Sequence, residues 1–140
     1  MSATASIVER AQLSQSERSN HVDTLFGLAF PFQLEPYVFQ MAGDLSPDYR
    51  GGFWEFYALD NGGFYMAPES ESPFTVRCPN GFEGELSGDA LGLVTCLYAY
   101  SHLSFVSPKP AATTYARMYH RLREYVMEHA EVDAILQATD

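Results

Sequence analysis

The side chains that most often perform acid–base or metal chemistry are scattered in this sequence. The histidines are isolated from one another and from the cysteines; they are His21, His102, His120 and His129. None belongs to an H-x-H or H-E-x-x-H pattern, the spacing that places two imidazoles on one metal ion. The two cysteines, Cys78 and Cys96, are too far apart for a C-x-x-C motif. We therefore expect no catalytic, cofactor-binding or metal-binding residues.

Glycine pairs at 51–52 and 62–63 are the other pattern that could bear on chemistry. A phosphate-binding loop needs G-x-x-x-x-G-K followed directly by a helix, and neither pair has that context. The G-x-S-x-G pattern of a nucleophile elbow is also missing. The glycines instead predict backbone roles: a bulge or a tight entry into the strand at 51–52 and positive φ at 62–63. An enzyme that uses a carboxylate and a histidine near these glycines stays open as an alternative.

A surface that binds another protein is the function that the side chains favour. Aromatic residues dominate interface energies, and a tyrosine hydroxyl prefers a partner or water. Tyr57 and Tyr65 are therefore surface candidates, whereas Trp54 and Phe56 are expected in the core. The whole candidate interaction patch comprises Glu55, Tyr57, Asn61, Tyr65, Glu69, Glu71, Glu83 and Glu85.

The elements that must position this patch begin with a β-hairpin. Strand-forming runs at 52–59 and 64–67 flank the turn Asp60-Asn61-Gly62-Gly63. Further strands are expected at 74–78 and 82–86, and helices at 35–45, 90–106, 111–129 and 132–138. Strands grouped apart from helices indicate an α+β single domain, with a small antiparallel β-sheet of about three to four strands packed with about four helices. We expect residues 1–20 to form a mobile polar arm and residues 21–140 to form the domain, starting with an irregular or short helical connector at 22–32.

The charge balance limits the kind of partner. The sequence has 18 acidic and 8 basic residues and a formal net charge of −10. This sign repels phosphate, so we expect no direct contact with nucleic acid, but it suits a basic protein surface. Simpler explanations stay open: the acidity only maintains solubility, the loop acids form a solvated end of the sheet, and Glu55 pairs with Arg50 or Arg77.

The cysteines and the apolar runs indicate the compartment. Both cysteines fall in predicted elements and fit small buried thiols in a reducing cytoplasm, although one disulfide between them stays open. The polar residues 1–20 lack the apolar core of a signal peptide. No apolar run approaches the length of a membrane span. We expect a cytoplasmic protein without membrane contact.

The hairpin also resembles the signature of one family. Residues 48–68 can be compared with the pattern D-Y-x-G-G-x-W-x-F-Y-x-L-S-N-G-G-F-Y-M-A-P, which is typical of the ArdB/KlcA antirestriction proteins. The chain matches every defined position except Asp60, where the family usually has Ser. Both residues accept hydrogen bonds in turns. The likeness is weaker over residues 22–138.

This resemblance implies a function that composition alone does not. It implies a monomeric α+β inhibitor of type I restriction–modification enzymes, without catalytic activity or cofactor, that protects incoming mobile DNA. We expect it to contact the multisubunit protein complex. The alternative is an acidic DNA mimic that occupies a nucleic-acid enzyme's groove.

Overall fold

The hairpin around Asn61 forms two strands of a three-stranded antiparallel sheet. In the computed structural model, which describes residues 7–140, the strands are β1 (Arg10–Gln12), β2 (Trp54–Leu59) and β3 (Phe64–Pro68), in the order β1-β2-β3. Tyr57 lies opposite Tyr65 on β3 and opposite Gln12 on β1. Glu55, Tyr57 and Tyr65 therefore share one face of the sheet, and Trp54 and Phe56 share the other.

The turn between β2 and β3 matches the sequence prediction in part, because positive φ is found at Gly62 but not at Gly63. The side-chain oxygen of Asn61 accepts a 2.9 Å hydrogen bond from the amide of Gly63. Gly62 adopts φ 88°, a region that side chains disfavour. Hydrogen bonding between the two strands continues past Pro68, because the amide of Glu69 donates a 2.9 Å hydrogen bond to the backbone oxygen of Phe53. Pro68 is tolerated there because β3 is an edge strand.

A second hairpin forms a separate two-stranded sheet. Strands β4 (Phe74–Arg77) and β5 (Glu83–Leu86) pair antiparallel, with Arg77 opposite Glu83. The predicted α+β single-domain class is confirmed. In detail, the strands divide into sheets of three and two, and the described residues contain five α-helices.

The N-terminal region differs from the expected arm. Residues 10–12 pair with the free edge of β2, and helix α1 (Gln15–Phe26) follows directly. Ser14 starts α1 with a capping box, because its hydroxyl accepts from the amide of Glu17 and the Glu17 carboxylate accepts from the amide of Ser14. The sequence reading missed this local signal and the long-range strand pairing. The first six residues of the predicted arm lie outside the described residues.

Helices surround the sheet. Of the two alternatives for residues 22–32, the helical one is observed: α1 continues to Phe26, and a π-helical turn (Phe30–Leu34) leads into α2 (Glu35–Leu45). Helices α3 (Gly88–Val106), α4 (Ala111–Val126) and α5 (Val132–Thr139) follow the strands. Helix α3 is buried over most of its length and lies against β3. Both cysteines are buried free thiols. No helix within residues 7–140 has the length and apolar character needed to cross a bilayer.

Candidate functional site

Tyr57 and Tyr65 lie side by side on the β2–β3 hairpin, but only one of them reaches solvent. Their rings stack with centroids 4.9 Å apart. Tyr57 is partly exposed, whereas Tyr65 is fully buried. The prediction of Tyr65 as a surface residue is therefore wrong. Strand alternation places both rings on one face, but the Tyr65 ring also packs against Tyr125 of α4, with centroids 5.6 Å apart.

The hydroxyl of Tyr65 belongs to a polar cluster centred on Asp89, in the first turn of α3. We define this polar cluster as Arg10, Tyr65, Asp89 and His129. One carboxylate oxygen of Asp89 accepts from the Tyr65 hydroxyl at 2.8 Å and from the Arg10 guanidinium at 2.6 Å. The other lies 2.7 Å from Nε2 of His129. The cluster thus joins β1, β3, α3 and the segment after α4.

The ionisation of the cluster follows from burial and from these bonds. Burial alone would raise the pKa of Asp89, but hydrogen bonds from His129 and Tyr65 and the positive charge of Arg10 outweigh it and hold that pKa below its ordinary value. Burial and the neighbouring Asp89 charge raise the pKa of Tyr65 far above its ordinary value. At neutral pH the cluster therefore contains a carboxylate, a guanidinium and a neutral phenol.

The hydrogen bonds of His129 indicate whether this histidine can act as a catalytic base near the hairpin. Its Nδ1 accepts a 2.9 Å hydrogen bond from the amide of Glu131, so the ring proton lies on Nε2 and faces Asp89. A histidine that acts as general base needs one nitrogen free to face the substrate. Here both nitrogens have partners inside the protein. The arrangement resembles a structural clamp more than a catalytic pair.

The clamp continues into the loop that precedes α3. The carboxylate of Glu131 accepts a 3.0 Å hydrogen bond from the amide of Ser87 and a further one from its hydroxyl. The same hydroxyl caps α3 by accepting from the amide of Ala90 at 3.1 Å. The start of α3 is thereby fixed to the segment between α4 and α5. Within residues 7–140, no group of three or more potential ligands is placed to hold a metal ion.

A shallow depression lies beside the polar cluster. It has a volume of about 190 Å³, and its lining includes Glu55, Tyr57 and Glu69 from the predicted patch, together with Arg10 and Asp89. The Arg10 guanidinium carbon lies 4.2 Å above the centre of the Tyr57 ring, so this tyrosine is held in place by a cation–π contact.

A second depression adjoins the first through Ser70, which lines both. It has a volume of about 240 Å³ and includes Glu71 and Glu85. We call Glu55, Glu69, Glu71 and Glu85 the acidic rim. Glu83, by contrast, forms an exposed 3.4 Å ion pair with Arg77 and lines neither depression.

Asn61 has an internal role instead of a place on the rim. Its side-chain amide donates to the backbone oxygen of Arg121 at 3.0 Å and to the Glu124 carboxylate at 2.8 Å, while its oxygen accepts from Gly63. These bonds attach the hairpin turn to α4. The predicted patch therefore divides into three parts. The acidic rim with Tyr57 has exposed and half-buried members, Glu83 is exposed apart from the rim, and Asn61 and Tyr65 maintain the fold.

Sequence reasoning missed three members of the polar cluster. Arg10 was assigned to the mobile arm, and His129 had no neighbouring ligand in sequence. For Asp89, the sequence predicts that it complements the dipole of α3 and belongs to the acidic loops around Arg77, but it does not predict a pairing with Arg10. The capping box at Ser14 was the one available signal that the N-terminal region is ordered enough to carry Arg10.

The fold and the hairpin signature define a class of protein. A family model described as Antirestriction protein matches residues 47–140. The chain therefore belongs to the antirestriction protein family, and its resemblance to the ArdB/KlcA group is confirmed.

Individual relatives support this assignment. The chain is 40% identical to antirestriction protein KlcA of Escherichia coli over 133 residues, which cover 92% of this chain and 91% of KlcA. It is 42% identical over 110 residues to the uncharacterized protein YafX of Escherichia coli strain K12, covering 76% and 70% of the two chains. A solved structure from work on KlcA and ArdB matches with a TM-score of 0.89 and 34% identity over 100% of both chains. That work reports antirestriction activity against type I DNA restriction systems in vivo but not in vitro.

Proposed function

We propose that this protein inhibits type I restriction–modification enzymes in the cytoplasm and thereby protects incoming mobile DNA. The observation that carries the proposal is the match of the whole chain to the structure from work on KlcA and ArdB. The protein acts as a monomer that contacts the multisubunit protein complex, with no chemical step and no cofactor. The saturated hydrogen bonds of His129 support a role without catalysis.

The acidic rim and Tyr57 form the contact surface in this proposal. Glu69, Glu71 and Glu85 are exposed, and no salt bridge engages them within the described residues. An enzyme that binds DNA must present basic residues to phosphate, so exposed carboxylates are complementary to such a partner. The hydrogen bonds of the polar cluster hold the residues beneath the rim in place, so fewer side chains lose freedom when a partner binds.

Charge pairing favours this contact over DNA mimicry. A mimic works through many free carboxylates, whereas several acids here are neutralised internally. Asp89 pairs with Arg10, and Glu55 lies 3.8 Å from Arg18. Mixed contacts that include an aromatic ring are also less sensitive to salt than a surface of charges alone.

A phage plating assay tests the function in cells, where the reported activity of the relatives was found. Unmodified phage is plated on a strain with a type I system, with the protein expressed or with an empty vector. We expect more plaques when the protein is present, and no change in an isogenic strain without the restriction system. Equal plating with and without the protein in the restricting strain would refute the proposal.

A pull-down of the type I complex at two salt concentrations tests the mode of contact. With this protein as bait, we expect the complex to be retained at both concentrations. Loss at the higher salt concentration would favour DNA mimicry, because screening weakens exposed charge pairs.

A further inference from the structure

A groove on the other face of the β1-β2-β3 sheet has features of a binding site that the acidic rim does not use. It lies between α1, the first turns of α2 and the start of β2, and it has a volume of about 430 Å³. Its walls include five aromatic residues, which are Phe30, Phe39, Phe53, Trp54 and Phe56. Phe53 and Phe39 remain 44% and 36% exposed, so the aromatic walls continue to the surface.

One carboxylate in this groove is partly desolvated without a counter-ion. Glu35 is half-buried, and burial raises its pKa, although the charge of Arg18 acts in the opposite direction. No basic group within residues 7–140 forms a salt bridge with it. The π-helical turn continues into α2 at Glu35, whose own amide donates to the backbone oxygen of Phe30, so no free helix N-terminus compensates the carboxylate. Removing a carboxylate from water is unfavourable unless a positive partner replaces the water.

Arg18 shows which chemistry the groove accepts. Its guanidinium carbon lies 4.4 Å from the centre of the Phe56 ring and 5.0 Å from that of Phe53. It donates to the backbone oxygen of Trp54 at 3.1 Å and lies 3.8 Å from Glu55. The groove therefore already contains one planar cation, the guanidinium of Arg18. Aromatic rings contact its face, and the Trp54 carbonyl and the Glu55 carboxylate lie at its edge.

The charge of the groove favours a second cation. Arg18 and the carboxylates Asp23 and Glu35 line it. The guanidinium of Arg18 lies closer to the carboxylate of Glu55 than to that of Glu35, so Arg18 does not form an ion pair with Glu35. Aromatic rings and an unpaired carboxylate together attract a cationic group with an apolar stem.

We propose that this groove binds an arginine side chain from a basic, otherwise apolar segment of a partner protein. Arginine fits better than lysine, because its planar guanidinium stacks on aromatic rings and can bind a carboxylate through two parallel hydrogen bonds. This arginine site is separate from the contact surface of the proposed function, because it lies on the sheet face opposite Tyr57. Its test measures peptide binding and does not measure restriction.

Trp54 provides a reporter for the test. It is the only tryptophan in the sequence, it lines the groove, and its indole N–H donates to the Tyr49 hydroxyl at 3.0 Å. It therefore gives a single indole signal in ¹H–¹⁵N spectra. The probe is the peptide acetyl-Gly-Leu-Arg-Leu-Gly-amide, and the matched probe carries citrulline, which has nearly the same shape without the charge. We expect a saturable shift with the arginine peptide and binding about tenfold weaker with citrulline.

Variants locate the site. Glu35→Gln removes the charge with little change of shape, and Glu71→Gln makes the same change on the acidic rim. We expect about tenfold weaker binding of the arginine peptide to the first and unchanged binding to the second. Phe53→Ala provides a second variant whose exposed side chain can be removed without emptying the core; it also weakens binding. Thermal melts confirm that each variant is folded.

Three results would overturn the proposal. They are the absence of a saturable indole shift, equal binding of the citrulline peptide, and undiminished binding to both folded groove variants. Shifts confined to residues around Glu85 would place peptide binding on the acidic rim and would equally contradict it.

Discussion

The hydroxyl of Tyr65 donates a 2.8 Å hydrogen bond to Asp89, and the tyrosine ring is fully buried between β2 and α4. This bond joins the family's hairpin signature to the central helix. It shows that part of the signature encodes a packing contact and not a surface. A buried phenol hydroxyl without a hydrogen-bond partner is unfavourable, so the Tyr65–Asp89 bond contributes to the stability of the fold as well as to the position of the two residues.

Replacing Tyr65 by Phe should lower stability. The change keeps the ring and its stacking but leaves Asp89 and Arg10 each without one hydrogen-bond partner. We expect a loss of about 1–3 kcal/mol in the free energy of unfolding, measured by urea denaturation. Tyr57→Phe is the matched control, because its hydroxyl makes no hydrogen bond within the described residues. It should cost less than about 0.5 kcal/mol. Equal losses would show that the Tyr65–Asp89 bond contributes nothing specific.

The polar cluster should also make stability depend on acid. The pKa of Asp89 is lower in the folded protein than its ordinary value, which is about 3.9. Its contribution is therefore complete above that ordinary pKa and is lost as the pH falls through the folded-state pKa. We expect the stability difference between the wild type and Asp89→Asn to be largest at neutral pH and to shrink under acidic conditions. Denaturation at a series of pH values measures it, and a difference that grows on acidification would contradict the assignment.

Two helical glycines should respond oppositely to alanine. A Cβ atom at Gly92 of α3 would lie 2.4 Å from the Cβ of Ala67 on β3, whereas one at Gly43 of α2 meets nothing within 4 Å. Gly92→Ala should therefore destabilise the protein by about 1–3 kcal/mol through overpacking. Gly43→Ala should stabilise it by about 1 kcal/mol, because alanine favours the helix. Thermal melts measure both, and stabilisation by Gly92→Ala would show that α3 is not held close to β3.

Local signals made the hairpin and the later helices predictable. Asn61 and Gly62 specify a turn by their own chemistry, and Ser87 caps α3 within one helical turn. These features depend on residues close in sequence. The predicted bounds of α3, α4 and α5 therefore lie within a few residues of the observed ones.

Contacts between distant residues were not predictable in the same way. Arg10 and Asp89 are 79 positions apart, and their ion pair exists only once β1 has joined the edge of β2. The alternation of β2 and β3 places Tyr57 and Tyr65 on one face, but the burial of Tyr65 depends on where α4 docks. A single sequence contains no direct signal for that docking.

Replacing His129 distinguishes a structural role of the polar cluster from a catalytic role. His129→Gln removes a hydrogen-bond partner of Asp89, so we expect a loss of about 1–3 kcal/mol in unfolding free energy. Protection in the plating assay should persist at temperatures where the variant is folded. The exposed His120 serves as control, and His120→Gln should change neither quantity. A folded His129→Gln protein without protective activity would instead indicate chemistry at this histidine.

The role of the acidic rim in binding can be tested by comparing the loss of rim charges with the loss of the same number of charges elsewhere on the surface. The variant Glu69→Gln, Glu71→Gln, Glu85→Gln removes three rim carboxylates, and the control Asp44→Asn, Glu128→Gln, Asp133→Asn removes three exposed acids elsewhere. If the rim docks on a protein partner, the first variant should lose most protection in the plating assay while the control retains it, because interface energy is concentrated in a few contacts. Similar losses from both would favour a mimic that acts through overall charge, and full protection by the rim variant would place the contact surface elsewhere.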